Sequence, residues 1–152
     1  MKLLLVLSLV SSCTVCSIMA IESNWQIPQE YKKPAKILHN MCVAESGASE
    51  ELLRTCMDGS IHGDRAVKCY IHCLFDKLMV IKEDTGHIHL NRLSELAVNS
   101  NMKEAFEFLT KECGHIVTDD PCQTAYEVAR CYFDTHDEVI KFCHLLVADL
   151  EI

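Results

Sequence analysis

The stretch Lys68-Cys69-Tyr70-Ile71-His72-Cys73 decides the fold. Its two cysteines sit one helical turn apart, where Cβ atoms are about 5–6 Å from each other. A disulfide brings Cβ atoms to about 3.5–4.5 Å. Cys69 and Cys73 therefore reach toward different parts of the chain, and the segment around them acts as a hub.

Whether they form disulfides depends on compartment. The chain opens with Met1-Lys2 and an apolar block from Leu3 to Val10, then small residues up to Ala20. An apolar run of that length behind one positive charge reads as a secretory signal peptide, too short to span a bilayer. Residues 1–20 are assigned to the leader and 21–152 to one small domain, secreted and extracellular. Removing the leader takes Cys13 and Cys16, so eight of ten cysteines remain, an even number that suits a disulfide framework in an exported domain. The formal charge moves from −8 to −9, which argues against nucleic acid as a partner.

Outward from the hub, apolar residues recur at helical spacing and the chain predicts an all-α fold of six to seven short helices. A first helix near Pro34 places Ile37, Leu38, Met41 and Cys42 on its inner face and stops around Gly47. Ser49 caps a second, with Leu52, Leu53, Cys56 and Met57 inward and Gly59 closing it. Asp64 caps the hub helix, whose apolar arc runs Val67, Tyr70, Ile71, Leu74, Leu78 and Ile81. A turn at 82–86 uses Gly86, and a brief fourth helix carries Leu90, Leu93, Leu96 and Ala97. Asn101 with Glu104 forms a capping box for a fifth helix striped by Met102, Ala105, Phe106, Leu109 and Cys113, which Gly114 ends. Asp120 and Pro121 open a sixth, on which Cys122 and Cys131 fall on opposite sides. Thr135 with Glu138 caps a last helix carrying Val139, Phe142, Cys143, Leu146 and Leu150.

With Cys56 and Cys143 set aside, the intervals between the remaining cysteines are 26, three, 39, eight and eight residues. Together with the run from Lys68 to Phe75, this resembles the six-cysteine signature of the insect odorant-binding proteins, which include pheromone-binding and general odorant-binding proteins. The resemblance implies a compact helical bundle around an apolar cavity, and interlocked disulfides Cys42–Cys73, Cys69–Cys122 and Cys113–Cys131. Cys56 and Cys143 depart from that pattern and are expected to form a fourth bridge, from the second helix to the C-terminal one. Such crosslinks offset the packing that an open pocket gives up.

The function implied is a secreted carrier of small hydrophobic ligands such as odorants or pheromones, with a membrane chemoreceptor as downstream partner, a homodimer compatible with the family, and no cofactor. A non-olfactory carrier of lipids, hormones or biogenic amines is the alternative. Positions matching the family's lining are Phe75, Met79, Val80 and Ile88, joined by Leu93, Phe106 and Leu109. Ala125 and Tyr132 follow from the sixth helix, and Phe142 and Leu146 close the cavity from the C-terminal side. Tyr132 is the polar member of the set. Acid-triggered release, frequent in the family, would fall to His136 and His144.

Other chemistries fit less well. Cys69, His72 and Cys73 followed by His87 and His89 suggest zinc, but no second paired cluster completes a four-ligand site. The same helix with Asp76 superficially resembles secreted phospholipases, whose calcium loop Gly59 and Gly63 do not supply. Plant-type lipid-transfer proteins need an adjacent cysteine pair that is absent here. The chain is not expected to be an enzyme.

Overall fold

Asp64 and Asp120 begin the two helices on which the rest of the molecule is hung. In the computed structural model, which describes residues 28–82, 85–87, 89, 92, 95–96, 100–136 and 139–148, Asp64 accepts a hydrogen bond from the Ala66 N–H. Asp120 accepts from the Cys122 and Gln123 N–H groups, with Pro121 at the first helical position. These are the two terminators that the sequence spells most clearly.

Six continuous α-helical segments can be followed among the described residues: α1 (Lys32–Ser46), α2 (Glu50–Arg54), α3 (Arg65–Lys77), α4 (Ser100–Cys113), α5 (Pro121–Thr135) and α6 (Ile140–Cys143). A 3₁₀ turn, Thr55–Asp58, extends α2, and a π-helical turn, His144–Ala148, extends α6. Gly47 ends α1 at φ 71°, its N–H donating to the Val43 carbonyl at 2.8 Å. Gly86 sits at φ 70° in the turn beyond α3, where the backbone needs a residue without a Cβ penalty.

The hub prediction holds. Cys73 pairs with Cys42 and Cys69 with Cys122, so α3 is stapled to α1 on one side and to α5 on the other. The Cα atoms of these pairs lie 5.6 and 4.5 Å apart. Cys113–Cys131 ties α4 to α5, and Cys56–Cys143 ties the turn after α2 to α6, with Cα separations of 5.8 and 5.9 Å. Packing follows the staples, with α3 meeting α5 most extensively and then α1. Polar side chains line the outer α3–α5 seam, where Arg65 pairs with Asp120 and Lys68 Nζ donates to Gln123 Oε1 at 2.8 Å.

The buried residues fall into two groups. One joins α1, α2, α3 and the start of α5 around Leu53, Val67, Tyr70 and Ala125. The other joins α4, α5 and Val80 around Met102, Phe106, Leu109 and Tyr132. Phe75 and Ile81 touch both.

Several local expectations change. Ile37 and Met41 are 55% and 45% exposed, because α1 buries Ala35, His39 and Cys42 instead. Helix α3 ends at Lys77, so Leu78 and Ile81 leave its arc. Beyond it the chain folds back, with the His89 N–H donating to the Val80 carbonyl at 2.7 Å and the Lys82 N–H to the His87 carbonyl at 2.9 Å. Ser49 stands at the N-cap of α2 without a side-chain capping bond. Helix α4 starts at Ser100, which puts Asn101 inside it rather than at its cap. Thr135 is the last residue of α5, and its hydroxyl donates to the Cys131 carbonyl at 2.6 Å instead of opening the next helix. Leu90, Leu93, Ala97, Glu138 and Leu150 lie outside the described residues, while Arg92 and Glu95 of the fourth predicted segment are helical.

Candidate functional site

Between the two buried groups lies a cavity of about 460 Å³. That is a typical volume for a small-molecule site. Every helix contributes: Leu38 from α1, Leu53 from α2, Phe75 from α3, Phe106 from α4, Tyr132 from α5 and Phe142 from α6. No charged side chain is among the described residues of the wall. The rings of Phe106 and Phe142 stack with centroids 5.4 Å apart, joining α4 to α6 across one end. Leu145, Leu146 and Val147 in the π-helical turn all reach the wall, so three consecutive residues close the C-terminal side.

Of the sequence-predicted positions, Phe75, Val80, Phe106, Tyr132, Phe142 and Leu146 come together on this wall. Three do not. Met79 is the C-terminal residue beyond α3 at φ 56°, a left-handed conformation that turns its side chain to solvent, 59% exposed. Leu109 is 1% exposed and packs within the α4–α5 group, and Ala125 is 0% exposed in the α3–α5 seam, where its small side chain permits close helix approach. Ile88 and Leu93 lie outside the described residues. His144 is exposed, and the His136 N–H donates to the Tyr132 carbonyl at 3.0 Å at the end of α5.

Sequence reasoning missed His39. It is 0% exposed, behind the wall formed by Leu38 and Tyr70. Its Nε2 lies 2.8 Å from Glu50 Oε1 and its Nδ1 2.8 Å from the Tyr70 hydroxyl. A carboxylate only accepts, so the Nε2–H donates to Glu50, while Nδ1 is hydrogen-bonded to the Tyr70 hydroxyl. The signal was available: Ala35, Leu38, His39 and Cys42 follow i, i+3, i+4, i+7 and outline the true inner face.

Two buried tyrosines thus face the cavity from different walls. Burial pushes the Tyr70 hydroxyl well above the ordinary phenol range, and the Glu50 charge pushes the same way. Burial also raises Tyr132, opposed by the Thr110 hydroxyl beside it. Both remain neutral phenols at any physiological pH. Cys69 and Cys73 are in disulfides and offer no thiolate to a metal.

A family model described as the PBP/GOBP family matches residues 24–135. The chain belongs to this family. Its members are ligand carriers rather than enzymes, and this chain is a hydrophobic-ligand carrier of the same kind. General odorant-binding protein 69a of Drosophila melanogaster is 27% identical over 109 residues, covering 71% of this chain and 72% of that protein. Among solved structures, odorant binding protein 7 of Anopheles gambiae, described with four disulfide bridges and in complex with an azo compound, is 61% identical with a TM-score of 0.76. The match covers 80% of this chain and 98% of that one. The medfly odorant binding protein CcapOBP22/CcapOBP69a is 32% identical, with a TM-score of 0.63 over 71% of this chain and 92% of that one.

Proposed function

We propose that this member of the family is a secreted carrier that takes up odorants or pheromones in the central cavity and hands them to a membrane chemoreceptor. The observation that carries the reading is the cavity of about 460 Å³, apolar and uncharged in its described residues and walled by α1 to α6. A folded chain that leaves such a space unfilled gives up dispersion contacts. The four disulfides offset that loss by restricting the unfolded chain. Phe75, Val80, Phe106, Tyr132, Phe142 and Leu146 are assigned as ligand contacts. The azo compound held by the Anopheles gambiae relative supports a small organic occupant here. Residues 1–20 are proposed as the signal peptide and 21–152 as the mature domain. N-terminal sequencing of exported protein checks that boundary.

The test is displacement of a hydrophobic fluorescent probe from the oxidised mature protein by alcohols, aldehydes, fatty acids and biogenic amines. Displacement by small apolar compounds is expected, and none by any of them would overturn the carrier role. Expression confined to antennal sensilla is the outcome expected of olfactory transport, whereas expression only in saliva, seminal fluid or haemolymph would replace it with the non-olfactory role.

A further inference from the structure

The wall of the cavity holds few hydroxyls, and most are already engaged. Thr55 Oγ1 donates to the Leu52 carbonyl at 2.7 Å. The Tyr70 hydroxyl is bonded to His39. Tyr31 is 42% exposed, within reach of water. Tyr132 differs: it is 7% exposed, it lies on the wall, and its hydroxyl has no hydrogen bond of normal geometry among the described residues. The buried hydroxyl of Thr110 lies beside it, so among the described residues each of the two has only the other within reach, and Thr110 itself stands behind the wall. Thr110 sits one helical turn after Phe106 on α4, so this pair of hydroxyls marks the end of the cavity where Phe106 stacks on Phe142.

Buried hydroxyls are nearly always hydrogen-bonded, and exceptions call for an explanation. We propose that Tyr132 and Thr110 form a head-group subsite in this cavity, selective for uncharged ligands whose one polar atom is a carbonyl oxygen. A carbonyl oxygen at the wall can accept from the Tyr132 O–H while the Tyr132 oxygen accepts from Thr110, and it brings no proton needing a partner of its own. An alcohol must also place its own O–H. A carboxylate would bring a buried charge to a wall whose described residues include no cation. An alkane offers the pair no acceptor. Tyr70 does not stand free for this role, because its hydroxyl is already hydrogen-bonded to His39. The ligand's apolar tail would then extend from Tyr132 past Phe75 toward Leu38. This inference rests on the carrier role proposed above.

The test uses the oxidised mature protein and a naphthylamine fluorescent probe, displaced by a ketone, a secondary alcohol and an alkane of one chain length. The ketone is expected to bind on the order of tenfold more tightly than the alkane, the equivalent of one net hydrogen bond. In Tyr132→Phe that advantage disappears. The infrared carbonyl stretch of bound ketone should lie below its position in hexane and return toward it in Tyr132→Phe. Thr110→Val should remove part of the shift. Equal affinity of the wild type for ketone and alkane, or a Tyr132→Phe change that weakens both alike, would overturn the subsite and leave the carrier role standing. If no member of the series displaces the probe, the carrier role and the subsite fall together.

Discussion

The two walls of the cavity treat a buried tyrosine in opposite ways. On the α1–α3 side, Tyr70 is tied to His39 and through it to Glu50, which is half-exposed, so three helices share one chain of hydrogen bonds. On the α4–α5 side, Tyr132 and Thr110 stand together with no partner but each other among the described residues. The first wall uses its polar atoms to hold itself in place. The second keeps them available. Rigidity and recognition are thereby assigned to different faces of one cavity, although both are built from the same residue type.

This contrast can be broken by mutation, beginning with what supports both walls. Replacing Cys56 and Cys143 by serine opens a bridge between residues 87 apart in sequence, and should lower stability by about 4–5 kcal/mol in the chain-entropy model, read by urea denaturation. His39→Ala removes a fully buried ring and strands the Tyr70 hydroxyl, for an expected loss of about 2–4 kcal/mol. A loss near zero would mean that the hydrogen-bond chain does not hold the first wall. Tyr70→Phe takes from Nδ1 of His39 its hydrogen-bond partner and should cost about 1–3 kcal/mol, whereas Tyr132→Phe should change stability by less than about 0.5 kcal/mol. Equal costs for the two phenylalanine variants would erase the distinction between the walls.

The smallest effect is expected at the outer seam that joins them. Asp120 is held below the usual carboxylate range, chiefly by its hydrogen bond to Arg65, with help from the Cys122 and Gln123 N–H groups. A carboxyl depressed in the folded state contributes stability above its unfolded pKa, and that contribution fades as pH falls through the folded value. Asp120→Asn should therefore melt below the wild type at neutral pH, and the gap should close in strong acid. A gap that persists there would assign the effect to the helix cap rather than to charge.

Much of this architecture can be read from the chain because its punctuation is strong. Asp64, Asp120 and Pro121 announce helix starts, Gly47 and Gly86 mark left-handed turns, and the cysteine intervals resemble those of a known helical family. The cavity wall was legible where the large apolar residue of a helix is also its inner residue, as at Phe75, Phe106 and Phe142. It failed where size and direction part. Ile37 and Met41 are larger than Ala35 and His39, yet the disulfide at Cys42 orients α1 so that the smaller pair faces inward. Leu109 and Ala125 have the right chemistry for a lining but are spent on helix-to-helix contact. At Met79 a single left-handed residue reverses the direction of the chain, an event that no hydrophobic periodicity records.

The Cys56–Cys143 bridge also bears on how a ligand gets in and out. A disulfide keeps its two Cα atoms within about 7 Å of each other in any conformation of the oxidised chain. Leu145, Leu146 and Val147 follow Cys143 by two to four residues, so this side of the wall is on a short leash whether the cavity is full or empty. Traffic is then favoured through parts of the wall that carry no such tether. The extra crosslink thus acts on the route as well as on the fold: it bolts one door and leaves the residence time of a ligand to the rest of the wall.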